Sequence, residues 1–126
     1  MADLDTMLKQ LDTNDCDEKE SVLIDLLFYF NDSDAQLNDK TKLFVEVSKV
    51  RDSAFFDGTE AYFEDNEEGA EVLNLLQLVL DNPVFAEFER LCRYGKYEEI
   101  DEWIVNNEAA LNDELAKLIK EAVYGQ

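Results

Sequence analysis

The spacing of apolar residues constrains the fold of this chain more than any other feature. Along most of its 126 residues, apolar side chains recur every third or fourth position, as Leu4, Met7, Leu8 and Leu11 do at the start. That period is typical of an α-helix with one buried face. No segment alternates as a strand does, and one proline and four glycines favour long regular elements. We therefore predict an all-α fold, a compact bundle of about six to seven helices in a single domain spanning residues 1–126.

Capping residues predict where several helices begin. A side-chain oxygen placed just before a helix accepts hydrogen bonds from its first N–H groups. Asp15 or Asp17 is expected to cap the second helix, and Asn82 before Pro83 marks the start of a later one. The second helix contains 22-VLIDLLFYF-30, which is apolar almost all round. We predict that it is the most buried element.

Charge is distributed unevenly along the chain. The net charge is −20, from 31 acidic and 11 basic residues. Residues 57–89 hold ten acids and no base, whereas residues 40–56 hold two acids and four bases. Because so anionic a surface repels phosphate, we expect no direct binding to nucleic acid or to an anionic membrane.

Missing residue types exclude several kinds of site. Without histidine, the chain lacks the usual general base and every histidine-dependent triad, and it has no glycine-rich phosphate loop. We therefore predict no enzyme activity and no cofactor. Cys16 and Cys92 provide neither a disulfide framework nor a zinc site, and Cys92 continues an apolar helix face. Acidic runs starting at Asp12 and Glu64 have leucine where a calcium loop requires glutamate, so we expect no metal. No signal peptide or membrane span is evident, and we expect a cytoplasmic protein.

The segment 57-DGTEAYFEDNEEGAE-71 is the densest concentration of charge. On a helix, like charges three or four residues apart oppose folding by roughly 0.2–0.5 kcal/mol per pair. On a helical wheel most of these acids fall within an arc of about 100°, opposite Tyr62 and Phe63. Gly58 and Gly69 can interrupt this helix, so the acidic stripe is expected either as one piece or as two. We infer that a cationic partner compensates the repulsion. The predicted partner-binding residues are Asp57, Glu60, Glu64, Asp65, Glu67, Glu68 and Glu71, with a second group formed by Asp12, Asp15, Asp17 and Glu18.

The run 40-KTKLFVEVSKVRDSAFFDGTEAYFEDN-66 resembles a segment of a family of small acidic, all-helical DNA-mimic proteins. In that family a helix leads into the motif Asn-Gly-Gly-Phe-x-Gln-Tyr-Phe-x-Asn. Gly58 matches the second glycine, and Tyr62 and Phe63 match the aromatic pair. The remaining motif positions differ, with Asp57, Thr59, Ala61 and Asp65 in place of Gly, Phe, Gln and Asn. The resemblance covers about a quarter of the chain and implies a helical fold that binds a nucleic-acid-binding protein in place of its nucleic acid.

Three functional hypotheses follow from the charge. The first is an inhibitor or regulator whose carboxylates imitate nucleic-acid phosphates and occupy the basic site of a nucleic-acid-binding protein, as an anti-defence protein or transcription-regulator antagonist does. The second is an immunity or antitoxin-like protein that caps a cationic toxin. The third is an adaptor domain from a salt-adapted organism, in which the acidic face is only solvated. Block-wise clustering of charge favours the first over uniform salt adaptation.

Overall fold

The structure, a computed structural model, describes residues 4–32, 37–65 and 68–124. These residues form eight α-helices and no strand, which confirms the all-α prediction. The helices are α1 Leu4–Gln10, α2 Cys16–Asn31, α3 Asp39–Phe55, α4 Thr59–Asp65, α5 Glu68–Leu76, α6 Pro83–Tyr94, α7 Tyr97–Asn106 and α8 Glu108–Tyr124. The number exceeds the predicted six to seven, and the region after α3 contains two short α-helices, α4 and α5, followed by a 3₁₀ turn, Gln77–Val79.

Side-chain caps begin three of the longer helices. The carboxylate of Asp15 accepts hydrogen bonds from the backbone N–H groups of Asp17 and Glu18. Asn38 accepts one from the N–H of Thr41, and Asn82 caps α6 with Pro83 at the first helical position. Such caps satisfy N–H groups that have no partner within the helix. The predicted starts at Asp15 and Asn82 are therefore confirmed.

Helix α3, not α2, is the central element of the bundle. It packs against α2, α4, α5, α7 and α8, and Leu43, Phe44 and Val47 on it are fully buried. The prediction that α2 is the most buried helix is wrong, since Phe28 and Tyr29 on its outer side are 59% and 46% exposed. An apolar run does not by itself reveal how many neighbours surround it. The buried apolar side chains of all the helices form one continuous core.

A tight corner joins α3 to α4 and sets the position of both. Ser53 provides the carbonyl that accepts hydrogen bonds from the N–H groups of Phe56 and Gly58. Gly58 has a φ of +90°, a conformation that side-chain-bearing residues rarely adopt. After this corner, Thr59 is fully buried and the hydroxyl of Tyr62 donates a 2.6 Å hydrogen bond to Glu46 on α3. The acidic segment is thus tied to the central helix by its inward face.

Candidate acidic interface

The seven predicted acids of the 57–71 segment do not share one continuous helix. Asp57 lies in the turn before α4, Glu60 and Glu64 are exposed on α4, and Glu71 is exposed on α5. The segment is divided between two helices, which is the two-piece alternative that the sequence left open, and Asp57 precedes both helices. Glu67 lies outside the described residues, and so do the side chains of Asp65 and Glu68, whose backbones end α4 and begin α5. The amphipathic pattern itself is confirmed by Tyr62, which is 6% exposed.

Helix α7 adds acids that the sequence analysis did not assign to the interface. The backbone N–H of Thr59 donates a 2.9 Å hydrogen bond to Oδ1 of Asp101, and the Thr59 hydroxyl donates to the carbonyl of Tyr97. Phe63 stacks on the Tyr97 ring with centroids 6.0 Å apart. These contacts place α7 beside α4. We call the combined region the acidic surface; its residues are Asp57, Glu60, Glu64, Glu98, Asp101 and Glu102.

The spacing of the α7 acids could have identified them. Glu98, Asp101 and Glu102 follow one another at i, i+3 and i+4, so they lie on one face of the helix. That face, with Val105 beyond it, borders an open depression. The nearby Arg90 and Arg93 pair with Glu87 and Glu89 on α6, and no ion pair joins either arginine to an acid of α7 among the described residues.

The second predicted acidic group mostly serves the fold. Asp12 forms an ion pair with Lys120 on α8, and Asp15 is the cap of α2. The Thr13 hydroxyl donates to the Glu18 carboxylate. Within this group only Asp12 forms an ion pair among the described residues, and Asp15 and Glu18 accept hydrogen bonds from neighbouring residues. This group lies where α1 and α2 meet α8, whereas α4 packs mainly on α3, α5 and α7.

A buried arginine brings together carboxylates from three helices. Arg51, near the end of α3, is 4% exposed and donates through Nε to Asn112 at 2.7 Å. Its two terminal nitrogens contact three carboxylates on three helices. The guanidinium carbon lies over the ring of Phe55, 5.2 Å from the ring centroid. We call this group the Arg51 cluster; its carboxylates are Glu20 at 3.0 Å, Asp52 at 3.0 Å and Glu108 at 3.1 Å. One positive charge thus faces three negative ones.

The pKa values within the Arg51 cluster diverge because the carboxyl groups compete. Burial acts to raise the pKa of Glu20, but hydrogen bonds from Arg51 and Glu108 outweigh it and leave this pKa below its usual value. Burial, the hydrogen bond shared with Glu20 and the charge of Glu20 raise the pKa of Glu108. Burial also raises the pKa of Asp52 against the attraction of Arg51. Of the hydrogen-bonded pair Glu20 and Glu108, Glu108 is therefore the one that takes up a proton first as the pH falls.

The basic residues are mostly engaged outside the acidic surface. Nine of the eleven lysines and arginines form ion pairs within the described part of the chain. Their partners are Asp5, Asp12, Glu20, Glu46, Asp52, Glu87, Glu89, Glu108, Asp113, Glu114 and Glu121. No ion pair was found there for Asp57, Glu60, Glu71, Glu98 or Glu102. Glu60 on α4 and Glu98 and Glu102 on α7 thus face solvent without an ion pair among the described residues.

The geometry supports neither a reactive thiol at Cys92 nor a metal site among the described residues. Burial raises the pKa of the Cys92 thiol to about 12, and the charge of Glu89 adds to this shift, so its thiolate is scarce at neutral pH. Across residues 4–32, 37–65 and 68–124, no three carboxylates or thiols are placed to hold a metal ion. Within the same ranges no helix has the length and apolar character to span a bilayer.

Averaged over the whole surface, the net charge per unit area is too low to imitate DNA. A DNA-like face requires the acidic residues to be gathered on one side. With an accessible surface of 7204 Å² and a net charge of −20, the average is about one net charge per 360 Å². Duplex DNA has about one charge per 110 Å² of its cylindrical surface. On the acidic surface the local density of negative charge comes closer to that of DNA, because acidic residues from the corner, α4 and α7 are gathered there. Comparisons with protein-family models, with curated proteins and with solved structures found no match for this chain.

Proposed function

We propose that this protein binds a basic, nucleic-acid-binding protein and occupies its nucleic-acid site through the acidic surface. The observation that supports the proposal most is the division of charge. Nearly all the cations of the chain pair elsewhere, while Asp57, Glu60, Glu98 and Glu102 are exposed and without an ion pair among the described residues. Like-charge repulsion on a surface is relieved when a cationic partner docks, and each carboxylate then accepts charge-assisted hydrogen bonds from arginine or lysine.

The resemblance of the 40–66 run to acidic DNA-mimic proteins supports the same proposal. Its matched residues now have clear structural roles, since Gly58 forms the corner before α4 and Tyr62 and Phe63 attach α4 to its neighbours. The motif therefore shapes the element that presents Glu60 and Glu64 to solvent. The proposed activity is inhibition or regulation of the partner by competition with its nucleic acid.

Affinity capture with charge-matched variants tests this function. The whole chain is immobilised, exposed to extract from the source cell and eluted with a salt gradient, with and without duplex DNA as competitor. The triple variant Glu60→Gln, Glu98→Gln and Glu102→Gln removes three acids from the acidic surface. A control with the same change in net charge, Glu87→Gln, Glu89→Gln and Glu121→Gln, removes three acids that pair internally.

We expect the surface variant to release its partner at a distinctly lower salt concentration, with the control close to the wild type. DNA should displace the partner because both compete for one site. Equal loss in the two variants would mean that only the total charge matters, which is the behaviour of a salt-adapted protein. Tight capture that neither salt nor DNA disrupts would contradict the mimic and indicate a toxin-immunity pair.

A further inference from the structure

Two adjacent aromatic side chains project from the corner between α3 and α4. Phe56 is 84% exposed and Phe55 is 40% exposed. Their backbone is fixed, because the N–H groups of Phe56 and Gly58 both donate to the Ser53 carbonyl and the Ser53 hydroxyl donates to Val50. A scattered apolar residue on a surface needs no explanation, but an adjacent pair on an anchored corner is a candidate contact site.

Carboxylates lie on both sides of this aromatic pair. The Phe55 ring rests on the Arg51 guanidinium, whose three carboxylates exceed its single charge. On the other side Phe56 is followed directly by Asp57, and a Cβ added to Gly58 would be 3.4 Å from Oδ2 of Asp101. The corner therefore presents aromatic rings between anionic groups.

That alternation matches one class of nucleic acid better than the other. A duplex presents phosphates and the polar edges of bases, while the faces of its bases are stacked and hidden. A single strand presents phosphates together with exposed base faces, and proteins that bind it combine basic grooves with aromatic stacking platforms. An exposed phenylalanine would desolvate polar side chains in a duplex-reading groove, but it can stack in a single-strand groove.

We propose that the partner is a single-stranded nucleic-acid-binding protein and that Phe56 takes the place of a base on its aromatic platform. This inference rests on the proposed function and narrows it. The flanking carboxylates stand in for phosphates, and Phe55, held against Arg51, adds exposed apolar area at the neighbouring position. Stacking of one base contributes enough that its loss weakens binding by about tenfold or more.

The test compares two competitors and three variants. Protein captured from source-cell extract by the immobilised chain is eluted with oligothymidylate or with duplex DNA, matched in total phosphate. Binding of the eluted protein is then measured for Phe56→Ser, for Phe56→Leu and for Phe28→Ser, a control on the outer side of α2 that is 59% exposed. Thermal unfolding by circular dichroism verifies each variant, and Phe56→Leu keeps apolar area if serine at this corner disturbs folding.

We expect oligothymidylate to elute the partner at a lower phosphate concentration than duplex DNA does. Phe56→Ser should weaken binding about tenfold, Phe56→Leu by a smaller factor, and Phe28→Ser not measurably. Equal or better elution by duplex DNA, or wild-type binding by folded Phe56 variants, would overturn this inference and leave the proposed function intact. Capture that resists salt and both nucleic acids would instead refute the proposed function.

Discussion

The Arg51 cluster and the acidic surface contain the same kind of side chain in opposite situations. In the Arg51 cluster, three carboxylates from α2, α3 and α8 surround a guanidinium that is 4% exposed. On the acidic surface, Glu60, Glu98 and Glu102 face solvent, and no cation pairs with them among the described residues. The first group holds helices together, and the second leaves its charge to be neutralised from outside.

The difference shows that this carboxylate-rich chain uses one of its few cations, Arg51, to satisfy several acids at once. A buried guanidinium can make five hydrogen bonds, so one arginine can satisfy acids from several helices. An exposed ion pair contributes roughly 0–1 kcal/mol, so leaving surface acids unpaired costs little stability. The uncompensated surface is therefore tolerated by the fold, and it is available for a partner.

Replacing Arg51 should disrupt the first region most strongly. Arg51→Met removes the cation and leaves three carboxylates facing one another and Asn112 without its donor. We expect a loss of about 3 kcal/mol in the free energy of unfolding, measured by urea denaturation at neutral pH. Arg90→Met, which breaks only an exposed pair with Glu87, should change it by less than about 1 kcal/mol. Similar losses in both variants would show that the Arg51 cluster has no special structural role.

Asp101 should separate the structural and the surface roles of an acid. Asp101→Ala leaves the buried N–H of Thr59 without its acceptor, and we expect a cost of about 1–2 kcal/mol in thermal or urea unfolding. Asp101→Asn keeps an acceptor oxygen and should lose less than half as much. Glu102→Ala, on the exposed face of the same helix, should be close to neutral. If asparagine were as damaging as alanine, the negative charge and not the hydrogen bond would position α4.

Removing the charge of Glu20 and removing the charge of Glu108 should change the stability of the protein in opposite directions. The folded-state pKa of Glu108 is raised above its usual 4.5, so its ionisation costs stability as the pH rises through that range. Glu108→Gln should therefore be more stable than the wild type at pH 7, by a few tenths of a kcal/mol, with the difference vanishing in acid. The pKa of Glu20 is lowered, so Glu20→Gln should be less stable at pH 7.

Urea denaturation of both variants at pH 7 and near pH 4 measures these differences. The stability advantage of the Glu108 variant should shrink as the pH falls, because the wild-type carboxyl group becomes protonated as well. The deficit of the Glu20 variant should shrink over a lower pH range, as the wild-type loses the contribution of its depressed pKa. If both variants were more stable than the wild type at pH 7, or both less stable, the proton in the hydrogen bond between Glu20 and Glu108 would not belong to Glu108.

Local signals in the sequence predicted the helical fold and its boundaries well. The caps at Asp15 and Asn82 and the inward face of Tyr62 depend only on neighbouring residues, and the structure confirms them. The centrality of α3 could not be read from the chain, because its core residues are interspersed with Glu46 and Arg51. Those charged residues are buried only because α4, α2 and α8 supply partners from distant positions.

The candidate site was predictable only in part, because the sequence shows the local density of charge but not the distant partners of each acid. The density of charge identifies Asp57 and Glu60 directly. Sequence alone could not show that Asp12 and Asp15 are used internally, since the pairing of Asp12 with Lys120 joins opposite ends of the chain. Nor could it add Asp101 and its neighbours on α7, which reach the acidic surface through a tertiary hydrogen bond to Thr59.

The two cysteines differ in exposure, so one of them can be labelled selectively in the unmodified chain. Cys16 is exposed at the first position of α2, whereas Cys92 is partly buried and its pKa is raised to about 12. A maleimide fluorophore added at neutral pH should therefore attach to Cys16 and spare Cys92. The dye would stand one residue after the cap of α2, on a different part of the bundle from α4 and α7. Docking of a partner could then be followed by fluorescence without engineering a new thiol.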